Sequence, residues 1–457
     1  MRATGLKHLD EENLTSAQTT SRGLSVTSRL FACLFVGYLT IFAFYSGIGL
    51  LVQNRIGDEE PHRKALALGL ISAAGAVSST LSNPIGGSLS DRTVSRFGRR
   101  TPWLIGGSAA ALLATLPLSR AESMFEIGLF FCLALAMANV YQAALTAMVP
   151  DQVKRELRGK ASSISGVATI AGSVVGTQIA SRMTGNDWSF VILSSGVLLA
   201  AVLLALFTRD PSAQNNPPAG AASSLGAEVQ GDAQVEVQAY AQAEVQLDAH
   251  PGPRVQVQSW VRTFLSAFRH HDFAYVFAGR MLMLLSYNMV LLYLLYILQD
   301  YVNLPRGTTP IAGVAFLILV TGSCALVSVS ISGFLADRYN RYRIWVFTAG
   351  IVGGVGLLLP AFSRSWTTMV VFACVQGLAV GSYLAVDTAV VTLVLPDQGD
   401  AGRDLGLLNI ANAAPPVVAP LAASIVVILG GYQALFPVAS IIALLSAATI
   451  VRVTSVP

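Results

Sequence analysis

Two side chains stand out because a charge is costly where they lie. Arg280 sits in AGRMLMLLSYNMV and Asp387 in YLAVDTAVV, each well inside an apolar run. An ion in an apolar medium needs a partner or a function. At 1.5 Å per helical residue, both lie about 12 Å from the same end of their runs, so they can pair. A carboxylate beside an arginine can take up and release a proton as solute hydroxyls compete for the guanidinium. On the same helical faces, Arg280 is followed by Tyr287, with Asn288 next to it, and Asp387 is preceded by Tyr383 and Gln376. Aromatic rings suit the C–H surfaces of a neutral solute and amides suit its hydroxyls. The plainer readings are helix packing for each ring and a structural ion pair for Arg280 and Asp387.

The elements that must hold these residues are apolar segments. The chain is 53% hydrophobic and only 12% charged, with mean hydropathy +0.60; soluble chains carry roughly 25% charged residues. A membrane helix needs about 20 apolar residues. Six runs qualify at 30–53, 65–89, 103–119, 124–149, 161–181 and 188–208, and six more at 272–301, 310–333, 344–362, 366–395, 406–430 and 432–451. The fold class expected is an all-α membrane protein with twelve transmembrane helices in two pseudo-symmetric six-helix bundles, 30–208 and 272–457.

The two sets are copies. Gln53 and Gln299, Asp91 and Asp337, and Pro150-Asp151-Gln152 and Pro396-Asp397-Gln398 all keep an offset of 246. One spacing kept by three landmarks marks an internal duplication. In parallel-repeat transporters of this kind the site lies between the halves, near mid-bilayer. The offset maps the Arg280 face onto Leu34, Tyr38, Ile41 and Tyr45, and Asp387 onto Tyr141, which Asn139 and Gln142 flank. Together these residues are the candidate solute and coupling set.

Charge distribution sets the orientation. With both termini in the cytoplasm, 21 of the 29 Lys and Arg residues fall on that side and seven on the other, as the positive-inside rule requires. The preference for Arg over Lys points to a bacterial chain, hence a cytoplasmic (inner) membrane. Residues 1–29 are polar and read as a disordered cytoplasmic tail, without a cleavable leader. Residues 209–271 read as a linker, mostly disordered, with a Gln/Val/Ala-rich tract free of basic residues from 210 through 253. Within it Trp260, Phe264 and Phe268 recur every four residues, which predicts a short amphipathic helix on the membrane surface. The four cysteines all lie in apolar runs, as buried inert thiols do. All five histidines lie outside the runs. No metal-ligand or nucleophile–base grouping and no phosphate-binding loop is present, so an enzyme is not expected.

The loop GGSLSDRTVSRFGRRTPW carries a recognisable motif. Gly87, Leu89, Asp91, Arg92, Gly98, Arg99 and Arg100 match the signature after the second helix of the major facilitator superfamily, which the chain resembles over nearly its whole length outside 1–29 and the linker. Five residues, Thr93–Phe97, separate Arg92 from Gly98, a spacing similar to the sucrose-type and glycoside–pentoside–hexuronide branch. The resemblance implies a cytoplasmic gate of Gly87, Asp91, Arg92, Gly98, Arg99 and Arg100, with Asp337 and Arg338 as counterparts in the second half. Physically, a glycine permits close approach and a carboxylate can sit on a helix N-terminus of the other half; the plainer reading is that the arginines only set topology. Sodium-coupled relatives carry two carboxylates where this chain has Ser79 and Asn83 before Pro84, so no sodium site is expected there. The fifth segment lacks the proline of drug antiporters, which weighs mildly against proton-driven drug efflux.

The expectation is a transporter working by alternating access, monomeric, with the lipid bilayer and a small solute as its partners and no nucleic acid. No cofactor is expected beyond a proton gradient. Two readings stay open, proton-coupled uptake of a sugar or glycoside, and export of a secondary metabolite or drug-like compound. A membrane sensor or enzyme is a distant third.

Overall fold

The computed structural model describes residues 3–208, 271–339, 341–394 and 401–453, without the side chains of 3–27, 155, 337 and 387–409. The linker with its expected amphipathic helix, and the landmark Asp397, therefore lie outside the described residues.

Each apolar run forms a helix, because in lipid the backbone must satisfy its own polar groups within one segment. The helices are α1 (Ala3–Glu59), α2 (Lys64–Arg92), α3 (Thr101–Leu118), α4 (Met124–Gln152), α5 (Arg158–Arg182) and α6 (Trp188–Phe207) in the first half. In the second half they are α7 (His271–Asp300), α8 (Pro310–Tyr339), α9 (Tyr342–Phe362), α10 (Trp366–Val394) and α11 (Ala401–Val451). α1 begins within the stretch expected as a tail; the part apolar enough to cross a membrane starts at Ser28. No sheet forms among the described residues, where one β-bridge joins Asn303 to Ser365.

Eleven helices are long and apolar enough to cross a membrane, yet twelve crossings result. The apolar part of α11 runs 42 residues, Ile410–Val451. That is about 63 Å of helix, twice the roughly 30 Å hydrocarbon thickness. It breaks at Gly431, whose φ of 70° an L side chain rarely adopts. Residues 401–430 and 432–451 are thus two limbs, the eleventh and twelfth spans.

Packing repeats between the halves. α1 lies on α5 and α6 as α7 lies on α11, and α4 packs on α2 and α3 as α10 packs on α8 and α9. α1 and α5 meet so closely that a Cβ at Gly176 would lie 2.0 Å from the carbonyl oxygen of Ala43. The halves touch along two seams related by the same symmetry, α2 on the first limb of α11 and α5 on α8. In the first, a Cβ at Gly69 would meet Ser424 at 2.7 Å; in the second, one at Gly322 would meet Ile170 and Val174 at 3.2 Å.

Candidate functional site

The turns at 59–64 and 300–310 mark what we call the upper end, and the loops at 92–101 and 339–342 the lower end. Several hydrogen bonds and an ion pair join the halves towards the upper end. Lys64 bonds Asp300 and Gln299, and Tyr296 Oη donates to the Gln53 carbonyl at 2.8 Å. Tyr293 Oη donates to the Ala65 carbonyl at 2.8 Å, and Gln178 Nε2 to that of Ala315 at 3.2 Å. The described conformation is closed at its upper end.

Below this closure lies a cavity of about 460 Å³, walled by α1, α5, α7, α8, α9 and α10. Aliphatic and aromatic side chains such as Leu50, Ile170, Leu291, Leu317 and Phe372 make most of its surface, and none of its described lining residues is charged. The polar groups are Tyr45, Ser46, Gln53, Thr169, Ser173, Thr177, Tyr287, Asn288, Thr321 and Gln376. The cavity is displaced towards the α5–α8 seam; among the described residues neither α2 nor α11 contributes to its wall.

Of the residues expected from the sequence, Tyr45, Tyr287, Asn288 and Gln376 line this cavity. Gln142 supports it from behind, accepting from Tyr45 Oη at 2.8 Å. Tyr38 bonds Thr146 at 3.4 Å, and Asn139 Nδ2 returns to its own helix at the Leu135 carbonyl. Tyr141 is fully buried inside the first half, where its hydroxyl would lie 3.2 Å from a Cβ at Gly37. These three are not brought to the cavity, because Tyr38 of α1 turns to α4, Tyr141 of α4 turns to α1, and Asn139 bonds its own helix.

Arg280 and Tyr383 line a separate small hollow inside the second half, with Tyr275, Gly279, Val346 and Thr449. Arg280 Nε donates to Asn412 Oδ1 of α11 at 2.7 Å. Asp387 lies one helical turn below Tyr383 on α10, and its side chain lies outside the described residues. Its pairing with Arg280 is thus not described.

The loop after α2 forms an ion network within the first half. Arg100 is buried and reaches Asp91 at 2.6 Å, Ser90 Oγ at 2.5 Å and Asp151 of α4 at 3.0 Å, while Arg99 reaches the same Asp151 at 3.0 Å. Gly98 turns the chain with a φ of 95°. Gly87 faces open space in this conformation, and Arg92 and Arg338 are exposed. Asp337 lies outside the described side chains. The described partners of these arginines come from the first half alone.

Sequence reasoning missed three features. Asp151 served only as a repeat landmark, although its Pro-Asp-Gln setting below α4 put it opposite the arginines. The hydroxyl ladder Ser165, Thr169, Ser173 and Thr177 was legible as four hydroxyls spaced by four in an apolar run. Lys64 and Asp300 carried no signal, since charges at helix ends are ordinary.

Comparison with known proteins places these features. A family model described as the Major Facilitator Superfamily matches residues 30–352 and, again, 276–457. The chain is 28% identical over 118 residues to the MFS transporter asaE of Aspergillus flavus, covering 26% of each protein. It is 32% identical over 94 residues to the uncharacterized MFS-type transporter YfiU of Bacillus subtilis, covering 21% of this chain and 18% of that one. The match spans about a quarter of the first relative's length and less of the second's. Among solved structures, a peptide transporter POT in complex with sulfate superposes with a TM-score of 0.68 at 14% identity, over 93% of both chains. A bacterial homologue of the human lysosomal transporter Spinster, in an inward-facing and unoccupied conformation, gives 0.66 at 15% identity, over 94% of this chain and 99% of that one. At these identities the likeness is one of fold.

Proposed function

The chain belongs to the Major Facilitator Superfamily, and on that premise we propose that it moves an uncharged, amphipathic small solute by alternating access, with the cavity below the upper closure as its site. The observation that carries this reading is the wall itself. An apolar surface with scattered hydroxyls and amides, and no charged side chain among the described residues, suits a solute that is mostly apolar, since an ionic solute would lie there unpaired. Of the two readings open from the sequence, this lining supports the amphipathic metabolite over the sugar, whose many hydroxyls would meet too few polar partners. The sucrose-type placement rests on the Thr93–Phe97 spacing alone, and neither relatives nor structural neighbours add to it. The positive-inside bias supports an inner-membrane location with both termini cytoplasmic, which puts the upper closure on the outer side of the membrane.

Coupling belongs to the same proposal. Asp387 is the carboxylate read from the sequence as lying inside a span, and Arg280 has the depth to pair with it. Protons rather than sodium ions are the coupling ion, Ser79 and Asn83 standing where a sodium site would need carboxylates.

Reconstitution tests the reading. Proteoliposomes are offered radiolabelled chloramphenicol, an uncharged amphipathic solute, and radiolabelled sucrose. Saturable chloramphenicol flux that falls in Gln376→Leu is the expected result. Sucrose flux dependent on Tyr45 and Gln376, without chloramphenicol flux, would overturn the amphipathic assignment.

A further inference from the structure

Resting on the reading of the cavity as the solute site, we infer that its wall is a hydrogen-bond acceptor surface, and that the solute it fits carries N–H or O–H donors on an apolar body. A hydroxyl has one proton to give, and all the wall's hydroxyls but that of Tyr287 have given theirs away. Thr169 donates to the Ser165 carbonyl at 2.9 Å, Ser173 to that of Thr169 at 3.0 Å and Thr177 to that of Ser173 at 3.1 Å. Ser46 donates its one proton to the carbonyl of either Phe42 at 2.9 Å or Ser173 at 3.0 Å, and Thr321 donates to that of Ala373 at 3.2 Å. A backbone carbonyl only accepts, so the direction of each bond is forced. Tyr45 spends its proton on Gln142 Oε1 at 2.8 Å.

The amides follow the same rule. Gln376 Nε2 donates to the Gly353 carbonyl at 2.9 Å and Asn288 Nδ2 to that of Leu284 at 2.7 Å. Turning either amide over would set oxygen against oxygen, so the nitrogens are held at the carbonyls and the side-chain oxygens keep free lone pairs. No lysine or arginine lies among the described wall residues to add donors. The bias is strongest on the α5 side, where Thr169, Ser173 and Thr177 stack one turn apart. Gln53 and Tyr287 are the wall groups whose donors these bonds leave uncommitted.

The consequence is selective. A solute that only accepts, such as an ether or ketone, would need a hydroxyl to break its bond to the helix or would leave its own oxygen unmet. A solute that donates meets lone pairs already turned outward. The structure therefore assigns to the cavity apolar alcohols, phenols and amides with N–H groups, ahead of ethers and tertiary amides of the same size.

The test is a matched pair of probes, 4-butylphenol and its methyl ether 4-butylanisole, titrated calorimetrically into the full-length protein in lipid nanodiscs, with empty nanodiscs subtracted. The phenol is expected to bind about fivefold tighter or more, the worth of roughly one net hydrogen bond. The double variant Ser173→Ala/Thr177→Val is expected to narrow that gap. Equal affinities, or a tighter ether, would overturn the acceptor assignment while leaving the apolar cavity as the solute site. Binding of neither probe would overturn the cavity reading and this inference with it. The comparison on the wild-type protein stands even if the variant fails to fold.

Discussion

Lys64 Nζ of α2 lies 2.8 Å from Asp300 Oδ2 of α7, a bridge from one half of the molecule to the other at the upper end. The same ammonium stands 4.9 Å from the centre of the Tyr296 ring, whose hydroxyl is bonded to the Gln53 carbonyl. One cation thus ties a carboxylate and an aromatic face of α7, next to a contact with α1. Alternating access requires these bonds to break when the upper end opens, so their strength biases the two states.

Removing the bridge should shift that bias. An exposed pair contributes up to about 1 kcal/mol, or roughly a fivefold change in population. Spin labels at Glu60 and Arg306, read by electron–electron distance measurements, should show a larger long-distance population in Lys64→Ala. Exchanging the charges, Lys64→Asp with Asp300→Lys, should restore the short distance. An unchanged distribution in Lys64→Ala would show that the bridge does not hold the upper end.

Arg100 should be a stability position in the first half. Its Nε, Nη1 and Nη2 serve Asp151, Ser90 and Asp91 respectively, a fork that lysine cannot reproduce. Arg100→Ala leaves the partners of a buried guanidinium unmet, and the expected loss is about 1–3 kcal/mol. The melting temperature in detergent should fall for Arg100→Ala and recover only partly in Arg100→Lys. Full recovery by lysine would show that charge alone, without the fork, suffices.

The α1–α5 contact makes a sharper contrast. Gly176→Ala would put a methyl group 2.0 Å from the Ala43 carbonyl oxygen, whereas Gly166 faces open space. Gly176→Ala should lower the yield of folded protein and its melting temperature, and Gly166→Ala should leave both near wild type. Similar values for the two variants would mean that α1 and α5 can part at little cost.

Asp387 is the test of proton coupling. Asp387→Asn should abolish accumulation driven by an imposed pH gradient while leaving downhill exchange, because the amide mimics the protonated acid. Arg280→Ala should be the more damaging change, since an unpaired carboxylate in a span is costly. At fixed pH, added sodium should not stimulate transport. Full accumulation by Asp387→Asn would remove that residue from the coupling step.

Much of the architecture was legible in the residues. The apolar runs marked the spans because a bilayer accepts little else, and the 246 offset marked the two halves because a duplicated bundle keeps its landmarks. Even the turn between the last two spans was visible, as GlyGly at 430–431 between apolar runs. The candidate site was legible only in part. Tyr45, Tyr287, Asn288 and Gln376 reach the cavity, whereas Tyr141, singled out by the same reasoning, is buried inside the first half near Gly37. The 246 offset carried a face of one half onto the other, but the cavity is off-centre, so equivalent positions do not share an environment.

Two further properties were settled only in three dimensions. The partners of Arg100 come from α2 and from the distant end of α4, and the closure at Lys64 and Asp300 joins residues 236 apart in sequence. The physical reason is common to all of these. In a soluble helix the apolar stripe faces the core and the polar stripe faces water, so the sequence points each side chain inward or outward. A membrane helix is apolar towards lipid and apolar towards its neighbours. Sequence alone therefore determined that these segments cross the membrane and that they come in two matched sets. Which face of each segment meets the cavity was decided by the packing of small residues such as Gly172 and Gly176 against α1, and only the tertiary structure holds that information.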